Sequence, residues 1–182
     1  MSPSRYPTTR IQQSHSYRFT TDSGQVYEVY FDFSKNMFPD EELDKHAVYM
    51  GFLSDTPQEK FKRKHDPKVG ETVMWLVANI FKEFPWSIIS YVCSPADEQA
   101  RNRAVAFSKW FMQSPLMEKV NYYKKKVGGT YCGVMFNRKH PRIDNIELAF
   151  SDFDPENKFG PRVEEPITMY ETLYEEEFFE EE

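Results

Sequence analysis

The stretch GETVMWLVANIFKEFPWSIISYVCSPADEQAR, residues 70–101, carries a helix, a strand and the opening of a second helix in succession. Val73, Leu76, Val77, Ile80, Phe81 and Phe84 recur at spacings of three and four, which predicts one apolar stripe on a helix from Glu71 to Phe84, stopped by Pro85. Trp86–Cys93 (WSIISYVC) is a short apolar run suited to a central strand covered on at least one face. At the corner that follows, Ser94 suits an N-cap, Pro95 the first helical position and Asp97 the capping-box carboxylate. The second helix runs to about Gln113. Ala100, Ala104, Phe107 and Phe111 form its stripe, Val105 and Trp110 broaden it, and Asp97 with Arg101 makes a supporting i,i+4 pair.

Upstream, the period changes from helical to alternating. Ser16–Thr21 (SYRFTT) alternates, Asp22-Ser23-Gly24 supplies turn chemistry, and Gln25–Phe33 alternates again with Tyr27, Val29, Phe31 and Phe33 on one face. This predicts a hairpin. A polar loop containing Pro39, Asp40 and Glu41 leads to a third strand, His46–Leu53 (HAVYMGFL), and residues 54–70 form a charged connection. Downstream, Asn121–Lys126 (NYYKKK) is basic and precedes a strand at Thr130–Phe136; Asn137–Arg142 turns the chain, and the alternation of Ile146, Leu148 and Phe150 predicts a last strand. The expected order is β-β-β-α-β-α-β-β: an α+β fold with a mainly antiparallel sheet of about six strands and two amphipathic helices on one face.

With 182 residues the chain has the size of one domain, expected at 16–154, between a flexible leader at 1–15 and an acidic tail at 155–182 that is partly disordered or docks. Phe, Tyr and Trp make up 16% of residues, so the core is expected to be built from rings. Nine of the 29 acidic residues and none of the 23 basic ones fall in Glu164–Glu182. The net charge of −6 thus divides into +3 for residues 1–163 and −9 for residues 164–182. That tail interleaves hydrophobics with its glutamates, and Tyr170, Leu173, Tyr174, Phe178 and Phe179 are candidate docking residues for a basic surface of the chain's own body or of a partner.

No apolar run is long enough to span a bilayer, and Met1–His15 is polar, so a cytoplasmic protein with no membrane partner is expected. Cys93 and Cys132 lie in apolar runs without paired spacing, as buried reduced thiols would. No HxxxH, no CxxC and no glycine-rich phosphate loop occurs. Pro155 breaks the calcium-loop pattern suggested by Asp152, Asp154 and Glu156, so neither a metal nor a cofactor is expected.

The strand–helix corner is the candidate for chemistry. A helix N-terminus favours an anion, and Cys93, Ser94, Asp97, Arg101 and Arg103 form a candidate anion or ligand site. Helix initiation explains the same residues. The position six after Cys93 is Gln99, which departs from the Cys-x5-Arg phosphate loop, and the four histidines supply no local base, so no catalytic residue is assigned. Basic runs at Lys60–Lys64 and Lys124–Lys126 would be met by phosphate in a nucleic-acid binder, but they come without the signature of a nucleic-acid reader, so nucleic acid is a third reading.

The segments YRFTTDSGQVYEVYF, DPKVGETVMWLVANIFKEFP and SIISYVCSPADEQARNRAVAFSKWF resemble a family of small, uncharacterised bacterial proteins, a domain of unknown function associated mainly with the Bacteroidota. The resemblance covers about residues 16–150. It is most specific at Asp97, Arg101, Arg103, Phe107 and Trp110, and it implies a bacterial or mobile-element origin and a cytoplasmic home without implying an activity. A non-catalytic interaction module with a protein partner is therefore the leading expectation, ahead of an enzyme or anionic-ligand binder at the corner.

Overall fold

Among the described residues, seven strands form a single mixed sheet in the order β1-β2-β3-β4-β5-β7-β6. The computed structural model describes residues 5–11, 14–33, 37–54, 66–93 and 100–152. The elements are β1 (Thr9–Arg10), β2 (Ser16–Thr20), β3 (Val26–Asp32), a short α1 (Glu41–Asp44), β4 (Ala47–Ser54), α2 (Pro67–Glu83), β5 (Ile88–Cys93) and α3 (Ala100–Met112). A 3-10 turn at Pro115–Glu118 then leads to β6 (Val120–Val127), β7 (Thr130–Asn137) and α4 (Ile143–Asp152).

The hairpin expected near Gly24 is β2–β3, and Gly24 takes the positive φ of 84° that its turn needs. β4 continues the antiparallel meander, with Phe31 opposite Met50. The chain then crosses over through α2, so β5 lies parallel to β4, with Ala47–Tyr49 beside Ile88–Ser90. α2 begins at Pro67, earlier than the apolar stripe suggests, because Asp66 caps it through the Lys68 amide and Pro67 sits in its first turn.

The helices α2 and α3 cover one face of the sheet, as the stripes predict. Val73, Leu76, Val77 and Ile80 of α2 pack with Phe107 and Phe111 of α3 over Val29, Phe31, Met50, Ile89 and Tyr91. The two helices approach closely because Trp110 lies over Gly70, where any Cβ would fall within 3 Å of the indole.

The last third of the chain corrects the sequence reading. Asn121–Lys126 is not a lead-in to a strand but lies inside β6, which forms a hairpin with β7 through Gly128 at φ 57°. The strand expected at Ile146–Phe150 is instead part of α4. Ile146 and Phe150 are buried four residues apart while Leu148 is 52% exposed, the opposite of what alternation requires. α4 joins Phe38 and Leu43 near α1 in covering the second face over Ile88, Cys132, Val134 and Phe136. Helical cover thus exists on both faces.

The described part of the leader is tied down rather than loose. Tyr6 is buried, its amide donates to Thr72 Oγ1 (2.9 Å) and its hydroxyl donates to Asp66 Oδ2 (2.6 Å). Thr9 and Arg10 pair with Arg18 and Tyr17 at the sheet edge. The tail at 155–182, with Tyr170, Leu173, Tyr174, Phe178 and Phe179, lies outside the described residues.

Candidate functional site

Cys93 ends β5 with its side chain turned into the core beneath α3, at 3% exposure, among Tyr91, Ala100, Phe107 and the rest of that cluster. A thiol so buried is closed to a substrate. Cys132 stands on β7 opposite Val92, one step away in the ladder and on the other face of the sheet, so the two thiols point apart and cannot be bridged without rebuilding a strand. Arg101 is exposed and Arg103 half-buried, both in the first turn of α3. Two positions apart on a helix they point about 200° apart and do not converge on one anion. Ser94 and Asp97 lie outside the described residues. Among the described residues the corner thus shows a buried thiol and two arginines on different sides of α3.

A polar chain that the sequence did not signal runs beneath α3. Ser108 Oγ donates back to the Ala104 carbonyl (3.0 Å), so the Tyr122 hydroxyl, 3.2 Å away, donates to Ser108, and the Tyr91 hydroxyl in turn donates to Tyr122. Lys124 Nζ completes the acceptor capacity of Ser108 at 3.1 Å. Burial and the neighbouring Tyr122 push the Tyr91 hydroxyl pKa far up, so that hydroxyl stays protonated. Every hydroxyl has its partner and Ser108 is only 4% exposed, which makes this a satisfied core network and not a nucleophile with its base.

The lysine of that chain points to the more informative feature, β6 itself. Among the described residues β6 is the outermost strand on its side of the sheet, eight residues long, and pairs only with β7. The Arg138 amide donates to the Lys119 carbonyl, so the antiparallel alternation turns the odd-numbered residues of β6 toward β7. The backbone groups of Val120, Tyr122, Lys124 and Lys126 then face outward. The three lysines straddle this edge. Lys124 reaches under α3, Lys126 lies 5.4 Å over the Tyr131 ring on the same face, and Lys125 crosses to the other face, over Phe150, where it donates to the Ser151 carbonyl (3.1 Å). At the opposite end Arg138 curls back to the carbonyls of Met117 and Val120, with Lys119 and Lys139 exposed beside it. Tyr123 fixes α4 against the strand by donating to Glu147 (2.5 Å), and burial together with that bond pushes its pKa up to about 12.

Sequence reading recognised the charge of NYYKKK but not its place at a sheet edge; edge lysines of this kind are a recognised defence of an open strand against indiscriminate pairing. Among the described residues no helix is long and apolar enough to cross a membrane, and no three His, Cys, Asp or Glu side chains gather as metal ligands would. Compared with protein-family models, with curated proteins and with solved structures, the chain matches none.

Proposed function

We propose that the protein is a non-catalytic interaction module, of the immunity, antitoxin-like or adaptor kind, which binds a partner protein by strand addition along β6. The observation that carries this reading is that β6 is, among the described residues, the outermost strand, eight residues long, with a basic group at each end and on both faces. Main-chain hydrogen bonds along such an edge supply affinity, while the flanking charges select an acidic segment. The reading places the protein in a bacterial cytoplasm, in keeping with its two reduced thiols and with the resemblance noted above. The alternative of an anionic-ligand site at the corner is weakened by the divergence of Arg101 and Arg103 and the burial of Cys93.

The test is a photo-crosslinking residue placed at exposed Lys126 in the full chain inside cells, compared with one at exposed Thr20 on β2. Stoichiometric capture of one protein from position 126 only, abolished by strong competition with an acidic extended peptide, supports the reading. Equal yields from both positions would remove β6 as the binding surface.

A further inference from the structure

We infer that Arg5–Arg10 is a releasable strap: Tyr6 latches it to α2, it opens while the rest of the sheet stays folded, and its opening gates the β2 edge. The inference concerns the opposite side of the sheet from β6 and stands apart from the reading of β6 as a docking strand.

Three observations converge on a strap. The first is how little of the segment is held by pairing. β1 is two residues long, with Thr9 and Arg10 against Arg18 and Tyr17. The Ile11 amide donates to the Ser16 carbonyl (2.8 Å), so the antiparallel alternation turns the Arg18 backbone toward Thr9. Pro7 has no amide with which to extend the ladder.

The second is that one side chain carries the docking. Tyr6 is 5% exposed, whereas Arg5, Pro7, Thr9 and Arg10 are all exposed. Its amide donates to Thr72 Oγ1, and its hydroxyl donates to Asp66 Oδ2 and accepts from the Asp22 amide (3.2 Å). The ring stacks on Phe19 at 10°, with Lys68 Nζ 5.3 Å from its centroid, and the Arg5 guanidinium lies 4.0 Å over Trp75. Thr72, Lys68 and Trp75 belong to α2 and Asp66 is its cap, so the strap is tied to the helix more than to the strand it covers.

The third is that the socket keeps its own bonds when Tyr6 leaves. Thr72 Oγ1 donates to the Lys68 carbonyl (2.6 Å), Asp66 caps α2 through the Lys68 amide, and Lys68 pairs with Asp22 (2.9 Å). Phe19 retains Tyr27 at 5.5 Å. At the far end Arg10 Nε donates to the Ser14 carbonyl (2.7 Å), which fixes the turn beside the strap independently of Tyr6. Release takes the β1 partners from the Arg18 backbone and opens the kind of edge that folded sheets keep covered.

The experiment is residue-resolved native-state hydrogen exchange on the full chain. It compares the Arg18 amide, which faces β1, with those of Tyr17 and Phe19, which face β3 because the Phe31 amide donates to the His15 carbonyl. In wild type Arg18 should exchange at least about tenfold faster than the other two and with little dependence on urea, as a local opening does. Tyr6→Ala should speed Arg18 by a further factor of about thirty or more. Tyr6→Phe, which keeps the ring and loses the hydroxyl, should speed it about three- to tenfold, with Tyr17 and Phe19 changed less than about threefold.

Arg18 exchanging in step with Tyr17 and Phe19, in urea and in both variants, overturns the inference by making the segment a fixed part of the body. Arg18 exchange that neither variant alters overturns it as well, by removing Tyr6 as the latch.

Discussion

Gly133 lies on β7 directly opposite Tyr91, and the tyrosine ring rests on the space a side chain would fill. A Cβ at Gly133 would come within 3 Å of Cε1, Cζ and Oη of that ring, so Gly133→Ala requires the ring to move. The ring has nowhere to go. Tyr91 is 3% exposed, stacked on Phe107 with centroids 4.7 Å apart at 20°, and hydrogen-bonded to Tyr122 at the head of the polar chain.

Overpacking of this kind costs about 1–3 kcal/mol, and the strand recovers roughly 0.5–1 kcal/mol when glycine is replaced, for a net loss of about 1–2 kcal/mol. Gly51 is the internal control. It faces Tyr30 across β3 and β4 in the same geometry, but Tyr30 is only half-buried and can swing outward, so Gly51→Ala should change stability by less than about 0.5 kcal/mol. Urea unfolding of both variants, and of Gly133→Ala in a Tyr91→Leu background, measures the effect and its source. In that background the cost should vanish, giving a coupling of about 1–2 kcal/mol. A cost at Gly133 no larger than at Gly51, or one unchanged when the tyrosine is gone, would refute the argument.

His140 lies buried against Trp86, Phe136 and His46, and its Nδ1 accepts from the Arg142 amide (3.1 Å). Burial depresses its pKa below the ordinary 6.5, with the neighbouring His46 and Arg142 acting in the same direction and the Trp86 backbone against it. The unfolded chain therefore takes up the proton first. This contribution to stability is complete above about pH 6.5 and is lost as the pH falls below it, and His140→Gln should flatten the profile measured by urea midpoints over that range. Asp40 caps α1 through the amides of Glu42 and Leu43 and also holds Arg142 (2.9 Å). Asp40→Ala should cost about 1–2 kcal/mol in the same assay, while Asp40→Asn should retain most of the cap. Finally, Cys93 should resist a small alkylating reagent in the native protein and react on unfolding, as mass spectrometry of the modified chain would show; rapid native alkylation would reopen the corner as a reactive site.

Much of the fold was legible because it is written in local period. The α2 and α3 stripes and the β2–β3 hairpin each repeat long enough, with cap or turn residues at their ends, for one period to win. At Ile146–Phe150 the apolar positions fit both periods over so short a run, and only the burial of Ile146 and Phe150 with Leu148 outside decides for a helix. The corner could not be read from sequence alone for a related reason. Residue types at a helix start announce an anion site and plain helix initiation alike, and the direction of Cys93 depends on which strand phase faces α3.

Local pattern was enough for the class of the fold, two of its long helices, the meander that begins it and the division of charge along the chain. Tertiary structure alone decided that β7 enters between β5 and β6, and hence that the three lysines of NYYKKK stand at an edge. Period tells a residue which side of its own element faces a core. It does not tell a strand its neighbour, because neighbours are chosen by pairings between residues far apart in the chain, and those form only when the whole sheet is assembled.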